Sequence, residues 1–78
     1  MPELTLYHYP TCPFCKVVFD CLERLNLEIP MRDLNVDEGA REALIEIGGK
    51  GQVPCLIIDG KALYESADIV RWLEENAG

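Results

Sequence analysis

Between residues 3 and 26 the spacing of apolar residues changes once, and abruptly. In "ELTLYHY" Leu4 and Leu6 alternate with Thr5 and Tyr7, the period of a strand over residues 3–8. From Pro13 to about Asn26, Phe14, Val18, Cys21, Leu22 and Leu25 recur on one face of a helix. Pro10 and Thr11 turn the chain between them, and Pro13 suits the first helical position because an N–H there would have no partner. A strand that passes so directly into a helix commits the chain to a β-α unit and leaves Cys12 and Cys15 at the junction.

The rest of the chain extends that unit. "EIPMRDL", with Ile29, Met31 and either Leu34 or Val36 facing inward, predicts a second strand limited by Pro30. Because it follows a helix, parallel pairing with the first strand is expected. Asp37 is expected to open a second helix with Ala40, Ala43, Leu44 and Ile47 as its stripe, stopped by Gly48-Gly49. "PCLIIDGKALYE" predicts a hairpin turning at Asp59-Gly60. Ser66 is expected to cap a last helix through its side-chain oxygen, with Ile69, Val70, Trp72 and Leu73 buried. The order is β-α-β-α-β-β-α, an α/β chain with a four-stranded mixed sheet flanked by three helices, expected as a single domain over residues 1–78.

Composition narrows the function. A formal charge of −7 with scattered basic residues repels phosphate backbones, so nucleic acid is not an expected partner. No window approaches the roughly 20 apolar residues of a bilayer span, and "MPELTLYHYP" lacks the basic and apolar segments of an export signal, so a cytoplasmic protein without membrane contact is expected. In that setting the 4 cysteines are thiols, ligands or catalysts rather than permanent bridges.

Cys12 at the helix N-cap places its sulfur near the free N–H groups of Phe14 and Cys15, where the helix dipole favours an anion. Cys15 lies one turn inside. The asymmetry selects one exposed nucleophile and one partner able to resolve it, so a reactive pair is favoured. A lone C-x-x-C is also half a zinc site, but Cys21 belongs on the buried stripe, Cys55 and His8 form no second ligand pair, and no metal is expected. A permanent Cys12–Cys15 disulfide would close too small a loop to stabilise much. A free thiol of pKa about 8.5 is about 3% ionised at pH 7, and lowering it to about 5 requires roughly 5 kcal/mol. A helix dipole supplies at most about 2 kcal/mol. Direct N–H···S contacts, helped by Lys16, are expected to supply the rest. Nucleophilicity falls with pKa, so the lasting advantage is a sulfur that leaves easily.

A second constellation lies downstream. "GQVPCL" sets Val53-Pro54 ahead of a strand, where a cis bond is accessible and an exposed Val53 backbone could pair with a peptide-like ligand as a strand edge does. With "CPFC" opening the first helix, "QVP" before the third strand and "YESADIV" opening the last, the chain resembles the glutaredoxins and the related N-terminal domain of glutathione transferases. The resemblance covers essentially the whole length and implies a thioredoxin fold.

It also implies glutathione as cosubstrate, Cys12 as nucleophile, Val53 pairing with the cysteinyl unit, cis-Pro54 shaping the groove, and Glu65, Ser66 and Asp68 holding the γ-glutamyl end. Many glutaredoxins carry a lysine three residues before the first cysteine, for the glycyl carboxylate. This chain has Tyr9 there, and Lys50 is a candidate substitute. Phe14 is a candidate contact for a protein substrate. The implied activity is that of a monomeric glutathione-dependent thiol–disulfide oxidoreductase acting on glutathionylated or disulfide-bearing proteins. The alternatives are a carrier in which Cys12 of two chains and two glutathiones hold a [2Fe–2S] cluster, against which Pro13 argues, and a non-catalytic glutathione-binding module.

Overall fold

The change of period at Pro13 is where the first strand gives way to the first helix. The computed structural model describes residues 2–77. The elements are β1 (Leu4–His8), α1 (Pro13–Arg24), β2 (Met31–Asp33), α2 (Ala40–Gly48), β3 (Cys55–Ile58), β4 (Lys61–Tyr64) and α3 (Ser66–Asn76). The strands form one sheet in the order β2-β1-β3-β4. β1 and β2 run parallel, with Leu6 opposite Met31, while β1–β3 and β3–β4 are antiparallel. The expected element order and mixed sheet are therefore present.

Alternation along β1 and β3 divides the core between the two faces of the sheet. Leu4, Leu6 and Leu56 face one way and pack with Val18, Cys21 and Leu22 of α1 and Ile69 and Leu73 of α3. Tyr7, Cys55 and Ile57 face the other way and pack with Ala40 and Leu44 of α2. Each fully buried leucine or isoleucine contributes about 1.5–3 kcal/mol of transfer free energy, which fixes the register of the central strands.

Local chemistry ends the elements. Asn26 adopts a left-handed conformation (φ 54°) after α1, and the N–H groups of Asn26 and Leu27 bond to the carbonyls of Glu23 (3.0 Å) and Leu22 (2.9 Å). This pairing satisfies carbonyls that the end of a helix otherwise leaves open. Asp59 and Gly60 both have positive φ (49° and 83°), the requirement of a two-residue type I′ hairpin.

Four expectations are corrected. α2 begins at Ala40 and not at Asp37. Asp33 gathers the turn before it, accepting the Asn35 N–H on its side chain at 2.8 Å and the Val36 and Asp37 N–H groups on its carbonyl at 3.2 and 2.8 Å. Asp37 instead pairs with Arg32 at 2.8 Å. β2 is only three residues long and Met31, expected to face inward, is 44% exposed; of the two alternatives beyond it, Leu34 packs beside α2 and Val36 is exposed. Phe14, placed on the apolar stripe of α1, falls at its edge and is 65% exposed, while Cys15 takes the buried position. Ser66 is the first residue of α3 rather than its cap: Glu65 holds that position and no side chain caps the helix.

Candidate functional site

Cys12 is the N-cap of α1, in extended conformation (φ −77°, ψ 123°), with Pro13 following. Pro13 has no N–H to offer, so the first helix donors belong to Phe14 and Cys15. The neutral thiol accepts no capping hydrogen bond of ordinary geometry, as befits a weak acceptor. The thiolate is a stronger one. Partial burial opposes ionisation of Cys12, but the Cys15 N–H, the Cys15 thiol and the Phe14 N–H outweigh it and hold the pKa below the ordinary thiol value. Lys16 is not among these groups. It turns along the helix surface to Asp20, 3.1 Å away, which corrects the expectation that it would assist the sulfur.

Cys15 is the opposite case. It is fully buried, and that burial pushes its thiol up to about 12; the Tyr9 N–H partly offsets this, and the Cys12 sulfur adds to it. The pair therefore comprises one ionisable sulfur at the surface and one proton-bearing sulfur beneath it.

A groove of about 330 Å³ reaches the first turn of α1 at Phe14, two residues after Cys12, which is not itself among the lining residues. Its walls are Phe14 from α1, Gln52, Val53 and Pro54 from the turn before β3, and Glu65, Ser66 and Ala67 from the start of α3. The Val53–Pro54 bond is cis. Among the described residues neither the N–H nor the C=O of Val53 has a hydrogen-bond partner. Glu65 has φ 72° and ψ 118°, a conformation that costs a non-glycine residue of order 1–3 kcal/mol. Gln52 donates to its carboxylate at 3.2 Å. That bond joins the two walls of the groove, a role for Gln52 that its place in "QVP" did not disclose. With α3 uncapped, the N–H groups of its first turn remain available to an anion. Asp68 lies in that first turn, exposed and outside the groove lining.

Tyr9 accepts the Cys12 N–H on its carbonyl at 3.2 Å. Its hydroxyl receives a hydrogen bond from Arg41 of α2. The Arg41 guanidinium lies 5.8 Å from the centre of the Tyr9 ring and close against Gly51. Sequence reasoning missed Arg41, which stands 32 residues from Tyr9 with nothing local to connect them. Lys50 points elsewhere, its ammonium 4.7 Å from the centre of the Tyr64 ring, while its carbonyl accepts the Tyr64 hydroxyl at 2.7 Å. Tyr64 fits there because Gly48 has no side chain to overlap its hydroxyl.

The other two thiols do not join the groove. Cys55 is fully buried among Tyr7, Ala40 and Leu44, and burial pushes it up to about 11 against the opposing effects of the Leu63 backbone, Tyr64 and Lys50. Cys21 is buried between the helices, 3.7 Å from the Arg24 guanidinium. Among the described residues no three His, Cys, Asp or Glu side chains gather closely enough to hold a metal ion. No helix among them is long and apolar enough to cross a membrane.

Residues 6–78 match the family model of the glutathione S-transferase N-terminal domain. The chain belongs to this family. Its relatives of known sequence include an uncharacterised glutaredoxin-like 8.6 kDa protein of the rubredoxin operon of Clostridium pasteurianum, 30% identical over 76 residues, which span 92% of this chain and 99% of that one. Among solved structures, glutaredoxin 2 of Salmonella typhimurium in complex with glutathione superposes with a TM-score of 0.80 at 30% identity, covering 100% of this chain and 35% of that one. The holo form of glutaredoxin C1 from Populus tremula x tremuloides superposes at 0.73 with 20% identity, covering 96% of this chain and 77% of that one. At that identity it bears on the fold alone. Family member and glutaredoxin-like protein, the chain has the thioredoxin fold that the sequence motifs implied.

Proposed function

We propose that this glutaredoxin-like protein is a glutathione-dependent thiol–disulfide oxidoreductase acting through Cys12. The observation that carries the reading is the contrast within one helical turn: a surface sulfur whose ionised form is stabilised by helix N–H groups, above a buried sulfur that keeps its proton. The glutathione held by the Salmonella relative supports the choice of ligand.

The groove offers a tripeptide the groups it needs. Val53 presents one free N–H and one free C=O, which would pair with the cysteinyl unit as an added strand does. The open N–H groups at Ser66 would take the γ-glutamyl carboxylate, with Glu65 and Asp68 near enough in sequence to pair with its ammonium. Pro54 forms the wall between these two units. Arg41 is not in the groove lining, but its guanidinium, steadied by Tyr9, lies against Gly51 next to the Gln52 wall and would receive the glycyl carboxylate from there. Lys50, occupied at Tyr64, is not needed there.

The Cys12 thiolate attacks the glutathione sulfur of a protein–glutathione disulfide. The S–S bond breaks, the protein sulfur leaves with the electron pair and is protonated, and glutathione remains disulfide-bonded to Cys12. Attack by a second glutathione thiolate on the glutathione sulfur of that bond then displaces Cys12 as thiolate. In the net reaction one glutathione thiol is consumed, the glutathione taken from the protein leaves with it as glutathione disulfide, and one protein thiol is restored. A low thiol pKa assists this last step, since Cys12 is the leaving group. Cys15 would enter only when a protein disulfide is reduced through both sulfurs.

The test is glutathione-coupled reduction of the mixed disulfide of glutathione and 2-mercaptoethanol. Cys12→Ser should abolish turnover, whereas Cys15→Ser should retain most of it. Equal loss in both variants would reject the route through one sulfur.

A further inference from the structure

Phe14 and Val17 stand one turn apart on α1, 65% and 46% exposed in a chain short of core. Val17 and Arg24 are two turns apart, so they lie on the same side of the helix. That side faces α3, because Arg24 reaches Glu74 at 2.6 Å. On α3 the matching row runs from Glu74 back through Val70 to Ala67 at helical spacing. By this spacing Phe14, Val17, Ala67 and Val70 form an apolar seam along the N-terminal halves of the two helices, with the ion pair beyond its far end. Phe14 and Ala67 also line the groove, so the near end of the seam continues into it.

We propose that this seam receives the protein half of the mixed disulfide, and that it fits a segment with apolar side chains beside the modified cysteine and net positive charge. The inference rests on the reading of Cys12 as nucleophile and names the substrate class for that reaction. Phe14 stands two residues from Cys12, lines the groove and begins the seam. With glutathione along Val53 and Ser66, the seam is therefore the exposed apolar surface that adjoins the reacting end of the groove. Charge sets the second preference. Glu65 and the two helices carry six carboxylates, Asp20, Glu23, Glu65, Asp68, Glu74 and Glu75, against the three basic groups of Lys16, Arg24 and Arg71. Lys16 and Arg24 are already paired with two of those acids. A chain of net charge −7 attracts a basic partner and repels an acidic one, mainly through the rate of encounter.

The test compares kcat/KM for the small mixed disulfide with that for three glutathionylated peptides of equal length, whose cysteine is flanked by leucines with lysines, leucines with glutamates, or serines with lysines. The leucine–lysine peptide should exceed each of the others by about tenfold, and its advantage over the glutamate peptide should shrink with added salt. Val17→Ser should cost the leucine–lysine peptide about three- to tenfold while leaving the small disulfide unchanged. Equal values for all three peptides, or equal loss on peptide and small disulfide in Val17→Ser, would overturn the proposal. So would a dimer in gel filtration that Val17→Lys dissociates, since the seam would then be covered by a second copy. Failure of the wild type on the small disulfide itself would instead remove the underlying reading of Cys12.

Discussion

The two faces of the sheet treat a thiol oppositely, as Cys12 and Cys55 show. On the α1/α3 face Cys12 stands at an uncapped helix start, where backbone N–H groups favour its anion. On the α2 face Cys55 directly follows Pro54, but lies under Tyr7, Ala40 and Leu44, where burial keeps it protonated to about 11. Both residues are cysteine, one opening α1 and the other opening β3 directly after Pro54. The difference is solvent and donors: a thiol becomes reactive where a helix begins at the surface, and remains a small apolar group where a strand runs through the core.

The largest test of this division is to damage one face alone. Leu44→Ala opens a cavity on the α2 face at a fully buried position and should cost about 2–5 kcal/mol of stability in urea unfolding, as core leucine truncations do. Cys12 should keep its labelling rate in the folded variant. A change in that rate comparable to the loss of stability would show the faces to be coupled.

A smaller effect separates the faces by pH. The folded-state pKa values of Cys15 and Cys55 lie above those of an unfolded thiol, about 8.5. The stability they contribute is complete below that value and is lost as pH rises through about 11 for Cys55 and about 12 for Cys15. Urea midpoints should therefore fall on the alkaline side, and Cys55→Ala should flatten part of that fall despite its lower midpoint at neutral pH. An unchanged alkaline slope would contradict the burial of Cys55.

The smallest effect concerns the turn leading into α2. The Asp37 carboxyl is held below its ordinary range by hydrogen bonds from Arg32. Its contribution is present above the unfolded carboxylate value of about 3.9 and lost as pH falls through the lower folded value. Asp37→Asn should be slightly less stable than wild type at neutral pH and converge with it in acid. The pair is partly exposed, so a large neutral-pH loss would mean that Asp37 does more than meet Arg32.

Much of the fold was legible because its signals are local. Pro13 marks the start of α1, Asp59-Gly60 the hairpin, and Leu4, Leu6 and Leu56 the alternation that divides the core. The errors arose where polar side chains choose between backbone partners. Asp33 draws the 35–37 backbone into a turn and delays α2, and Glu65, at an angle more usual for glycine, takes the cap position expected of Ser66. In the site, Cys12 and Val53 could be placed by motif, whereas Gln52–Glu65 and Tyr9–Arg41 join distant segments and are visible only once the sheet brings them together.

The most direct measurement is the pH dependence of iodoacetamide labelling at Cys12, followed by mass spectrometry in the reduced protein. The midpoint should fall clearly below that of free cysteine, about 8.5, and should rise in Cys15→Ala, which removes one of the donors at the sulfur. A curve indistinguishable from free cysteine, unchanged by Cys15→Ala, would contradict the account.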